Sequence, residues 1–115
     1  MIISQSKNPG IDIEYIDNRI FKIESRFLSP AEIQNIENNR LLYLLIYWNS
    51  KEIIYKIHRK KMLNFKDEIF IHPFDIKDKG QFQGIITKKG CENSFKLHYE
   101  ILENYTMVWS LKNDL

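Results

Sequence analysis

Three histidines, His58, His72 and His98, are the side chains of this chain best suited to moving protons or holding a metal near neutral pH. If two or three of them converge, they form an acid and base pair for cleaving a phosphodiester, and the chain is a histidine-dependent hydrolase. Their spacing does not demand this. There is no H-x-H, no HExxH, and no second cysteine to join Cys91 in a ligand set. A glycine-rich phosphate loop, a serine nucleophile elbow and a paired-carboxylate motif are missing from the sequence reading as well, and four glycines leave little room for a phosphate cradle. With the common signatures absent, the expectation is a non-enzyme that needs no cofactor and no metal.

Charge offers two further constellations. Residues 51 to 66 carry six basic side chains against Glu52 alone, a net of +5. Within that stretch Lys56, Arg59, Lys60 and Lys61 could track phosphates, with Trp48, Tyr55 or Phe65 as stacking platforms for single-stranded nucleic acid. Lysines also protect a sheet edge from pairing with other chains, and a pI of 8.6 is short of that of strongly basic nucleic-acid binders. The carboxylates of the second half fall in expected turns. If those turns share one end of a sheet, Asp75, Asp78, Glu92 and Glu103 form a negative rim that steers a basic partner protein onto it.

The elements that must position these groups follow from periodicity. Ile11-Asp12-Ile13-Glu14-Tyr15 alternates with period two, placing three apolar side chains on one face of a strand and two carboxylates on the other. Asp17-Asn18 supplies a turn, and Phe21, Ile23, Ser25 and Phe27 alternate after it, so the first two strands read as a hairpin. Ser29-Pro30-Ala31-Glu32 is a capping box with proline in the first turn, which starts a short helix over residues 30–38, ended by Asn38-Asn39. The run Leu41 to Trp48 has no polar alternation and suits either a buried helix or a strand buried on both faces. Asn49-Ser50, followed by alternating Ile53, Tyr55 and Ile57, looks like a hairpin turn and decides for a strand. Ile69 to His72 is a strand whose Pro73 confines it to an edge or an exit. Strands over 81–87, 95–101 and 105–111, with turns between them, complete a meander.

About eight strands and one short helix in 115 residues, 43% of them apolar, imply a single mainly β domain spanning residues 1–115, an antiparallel sandwich or barrel. The longest apolar run is eight residues, against about 20 for a membrane span. Neither a signal peptide nor a cysteine pair is present, so the expected compartment is the cytoplasm. Ile, Lys and Asn make up 42 residues, which points to an AT-rich gene and an accessory role. No family motif is matched closely enough to name a relative. The function expected from the sequence is a bacterial immunity or antitoxin-type inhibitor. It would occlude a basic, nuclease-like toxin with Asp75, Asp78, Glu92 and Glu103 and make no contact with membranes. The alternative is a single-stranded nucleic-acid-binding barrel using Lys56, Arg59, Lys60 and Lys61.

Overall fold

The structure, a computed structural model, describes residues 10–58 and 63–110. Five antiparallel strands form one sheet: β1 (Ile11–Tyr15), β2 (Ile69–Ile71), β3 (Lys79–Ile86), β4 (Asn93–Ile101) and β5 (Tyr105–Trp109), in the spatial order β1-β5-β4-β3-β2. Strands β2 to β5 are the expected meander. β1, from the other end of the chain, joins it beside β5, with Ile11 opposite Trp109 and Tyr15 opposite Tyr105. Three short helical segments follow β1: a 3-10 turn (Asn18–Lys22), α1 (Glu24–Phe27) and α2 (Pro30–Gln34). One long helix, α3 (Arg40–His58), touches all five strands, so the sheet curls around it.

The mainly β reading holds, whereas the eight-strand sandwich or barrel does not. The largest departure is α3, which replaces two expected strands and the turn between them. Its apolar run shows no stripe because Tyr43, Leu44, Leu45, Ile46 and Tyr47 are all buried, and a helix enclosed on every side has no polar face to reveal its period. Asn49 and Ser50, expected to turn the chain, lie in the helix interior. Both are fully buried, and the Ser50 hydroxyl donates to the Ile46 carbonyl one turn back (2.6 Å). The segment 21–27 is likewise helical, since Ile20, Ile23 and Phe27, three and four residues apart, form its inward face. The expected helix over 30–38 is α2, one turn shorter at its end, and its capping box forms as written: Ser29 Oγ accepts from the Glu32 N–H and Glu32 Oε1 from the Ser29 N–H.

Glu32 does more than cap. It is fully buried, and so is Lys51 of α3; their charged groups meet at 2.7 Å. Lys51 Nζ also donates to the carbonyls of Phe27 (2.5 Å) and Phe65 (2.7 Å), and Glu32 Oε2 accepts from the Ile71 N–H (2.8 Å). Burial pulls the Lys51 ammonium below its ordinary value, and the Glu32 carboxylate opposes that shift. Nearby, Gly84 lets β3 approach closely: a Cβ there would stand 2.8 Å from Ile54 Cδ1 and 3.0 Å from Ile71 Cδ1.

The sheet's two faces are unequal. Phe82, Phe95, Leu97, Tyr99 and Val108 point inward at α3 and are buried. On the outer face lie Ile11, Ile13, Met107 and Trp109, with the His98 ring stacked on Trp109. Because the Lys51 charge has no route to water, Glu32→Gln is expected to destabilise the fold by about 3–5 kcal/mol, the cost of orphaning one member of a buried pair. Adding Lys51→Met to that variant is expected to restore part of the loss. Urea denaturation of the single and double variants measures both effects and their coupling.

Candidate active site

The alternation of β1 sends Ile11, Ile13 and Tyr15 outward and Asp12 and Glu14 inward, against the second half of α3. On the helix, Trp48, Glu52 and Lys56 recur every four residues and form one stripe. The two sets meet. Asn49 Nδ2 donates to Asp12 Oδ2 (2.7 Å) while Asn49 Oδ1 accepts from Thr106 Oγ1 of β5 (2.8 Å), so a buried amide ties Asp12 to helix and sheet together. The Trp48 indole N–H steadies the Glu14 carboxylate. Lys56 Nζ lies 3.6 Å from Asp12 Oδ1 and 3.8 Å from Glu52 Oε1.

Three carboxylates thus share one region with one ammonium. All three are pushed above the ordinary carboxylate range, chiefly because burial penalises their charge; the Asp12 carboxylate also repels those of Glu14 and Glu52. For Asp12, the Asn49 amide and then Lys56 oppose the rise. This electrostatic strain is confined to a rim rather than a sealed core: the side chains of Asp12, Glu52 and Lys56 are 15%, 28% and 43% exposed. Among the described residues, no three His, Cys, Asp or Glu side chains are drawn together closely enough to hold a metal ion as they stand.

Beside this cluster runs a groove of about 480 Å³. Glu14 and Trp48 line one end, Ile20, Ile23 and Leu45 form apolar walls, and Arg19 and Lys22 stand along it. A second groove of similar volume lies between the start of α3 and residues 73–76. It has Asn35, Asn38, Asn39 and Tyr43 on its walls but none of the paired groups described above.

The residues singled out by the sequence fall elsewhere. Asp75 and Asp78 sit in the loop before β3, and Glu103 in the β4–β5 turn at the same end of the sheet, where the Ile101 N–H donates to the Asp78 carbonyl. Glu92 lies in the β3–β4 turn at the opposite end, accepting from the Gly90 N–H. No continuous acidic rim joins the four. The basic arm is not a hairpin: Lys51 is interior, Lys56 belongs to α3, and Arg59, Lys60 and Lys61 lie outside the described residues. The histidines do not converge either. His72 and His98 are two strand widths and two residues of register apart on the outer face, about 12 Å, with Gln81 and Gln83 of β3 between them, and His58 ends α3.

The sequence reading therefore missed Asp12, Glu14, Glu52 and Lys56. Both halves of the signal were present, the two carboxylates on one face of β1 and the four-residue spacing of Trp48, Glu52 and Lys56. The second half has meaning only on a helix, and reading the segment as strands hid it.

Comparison with known families decides the assignment. The sequence model of the 4'-phosphopantetheinyl transferase superfamily (ACPS) matches residues 8–110, from just before β1 through β5. The chain belongs to this superfamily. No curated protein matches it. Members of the superfamily are enzymes, which overturns the expectation of a non-enzymatic immunity or antitoxin module. The described residues form a five-stranded sheet curled around a helix rather than the expected barrel, and they hold no metal-ready histidine cluster. No helix among the described residues is long and apolar enough to cross a membrane.

The raised carboxylates have a consequence for stability. Between 4.5 and the higher value Glu52 takes in the fold, the folded chain binds more protons than the unfolded one, so stability falls as pH rises through that window, and the deficit remains above it. Glu52→Gln removes the deficit. The variant is expected to melt at a higher temperature than the parent at pH 7.5, with the gap closing toward pH 4; thermal melts followed by circular dichroism across that range read the difference.

Proposed function

We propose that this chain is a 4'-phosphopantetheinyl transferase whose reaction takes place where β1 meets the second half of α3. The observation that carries the reading is the convergence of Asp12 and Glu14 with Glu52 and Lys56, inside a chain that belongs to a transferase superfamily. Moving such a group means breaking a phosphoanhydride in a donor such as coenzyme A and forming a phosphoester on an acceptor hydroxyl. Catalysis of that step is largely charge management: the phosphoryl group must be held in line and its negative charge compensated.

Superfamily membership implies a divalent cation, and the donor chemistry fits one. Asp12, Glu14 and Glu52 offer hard oxygen ligands at a partly exposed rim, three carboxylates in one region with the single ammonium of Lys56. When bound, such an ion supplies positive charge to the phosphate oxygens. The remaining work belongs to the chain's own residues. Asn49 fixes the Asp12 carboxylate through Oδ2 and leaves Oδ1 facing Lys56. Trp48 holds Glu14 on the α3 side of β1 and offers its ring to the adjoining groove. That groove, apolar along Ile20, Ile23 and Leu45 with Arg19 and Lys22 beside them, suits a slender chain ending in a phosphate.

The test is transfer itself. Purified protein, coenzyme A and magnesium are combined with proteins that carry the 4'-phosphopantetheine arm, offered unmodified, and acceptor mass is read by mass spectrometry. Transfer is expected, and Asp12→Asn and Glu52→Gln are each expected to lower kcat/KM by about 100-fold or more, in the range seen when one charge-stabilising group is removed, while leaving the circular dichroism spectrum unchanged. Transfer that survives both substitutions would place the reaction elsewhere, and a chain that neither binds coenzyme A nor modifies any acceptor sinks the proposal.

A further inference from the structure

Two lysines on α3, five residues apart, meet their carboxylates in opposite ways. Lys51 is clamped: its ammonium is sealed from water, with three partners at 2.5–2.7 Å. Lys56 is tethered. Its contacts to Asp12 and Glu52 are long, 3.6 and 3.8 Å, and its side chain is 43% exposed in the last turn of the helix. Lys56 is therefore held at the rim by longer contacts than those that hold Lys51 in the interior. A four-carbon stem at the rim can swing outward at little cost.

The charges make the position informative. Asp12, Glu14 and Glu52 ionised carry three negative charges, and Lys56 is the ammonium that compensates part of them. Asp12 Oδ1 is the oxygen that faces Lys56, because Asn49 occupies Oδ2. An incoming ion seeking Asp12 and Glu52 together meets an ammonium already placed between them, and two cations cannot share those oxygens without strong repulsion.

Resting on the reading of this cluster as the transferase's cation site, we infer that Lys56 is its resident counter-cation: its ammonium neutralises Asp12 and Glu52 in the empty protein, and a divalent ion binds only by displacing it. Affinity for the ion is therefore held low until Lys56 has somewhere else to go. A phosphate-bearing donor supplies such a place, so ion and donor load together rather than the ion alone.

The probe is manganese alone, with free Mn²⁺ counted by electron paramagnetic resonance during titration into the full chain. The parent is expected to bind weakly and Lys56→Met at least tenfold more tightly, whereas Lys56→Met combined with Glu52→Gln loses the gain. Lys56→Gln serves if the methionine variant fails to fold, as judged by circular dichroism. In the parent protein, acetylation of Lys56 by a limiting amine reagent, read by peptide mass spectrometry, is expected to rise severalfold when Mn²⁺ is added. Equal or weaker binding by the Lys56 variants, or unchanged acetylation under saturating Mn²⁺, overturns the displacement and leaves the carboxylates as a cation site. If no variant binds Mn²⁺ at all, the cation site itself is lost and the displacement with it.

Discussion

The buried Glu32–Lys51 pair is the constraint on which the rest of the architecture depends. Two charges taken out of water are tolerable only when their hydrogen-bonding capacity is used. Here it is used by backbone from four different places: the Ser29 and Ile71 N–H groups at the carboxylate, and the Phe27 and Phe65 carbonyls at the ammonium. α1, the start of α2, β2 and the segment after residue 63 are pinned to one point on α3. The pair also fixes the helix's rotation about its own axis. Successive helical residues are turned by about 100°, so once Lys51 faces α2, the stripe of Trp48, Glu52 and Lys56 faces β1. A structural charge pair thereby aims a chemical one.

The reacting region shows the converse economy of charge. Lys51 and Glu32 satisfy each other, whereas Asp12, Glu14 and Glu52 are three carboxylates in one region with one ammonium, and burial above all holds them above the ordinary carboxylate range. That imbalance destabilises the fold locally, and perturbed groups of this kind cluster at functional sites. Asn49 and Thr106 make the imbalance durable by holding Asp12 through a buried neutral network that cannot relax by rotating into solvent.

Much of the sheet was legible in the sequence because it obeys local rules. The alternation of β1, β4 and β5, the edge position of β2 before Pro73 and the capping box at Ser29 all appear where the residues place them. α3 was not legible. Its signals are tertiary: an apolar run enclosed on all sides, an Asn49 whose partners lie on β1 and β5, and a Ser50 that bonds within the helix. Ile53, Tyr55 and Ile57 happen to alternate, and β-branched residues favour strands until packing overrules them. The site was lost with the helix, since Asp12 and Glu14 alone are two carboxylates on an ordinary strand. The loop carboxylates drew attention through their number, but a strand register separates Glu92 from Asp75, Asp78 and Glu103.

The pairing of β1 with β5 joins opposite ends of the described chain. Of the described elements, synthesis delivers β1 with Asp12 and Glu14 before the others and β5, the neighbour that seats it, after them. Closing so long a loop is slow compared with forming α3 or the β3–β4 hairpin. A nascent or truncated polypeptide can therefore own most of its interior and still lack the proposed centre, which is assembled only when β5 slides in beside β1.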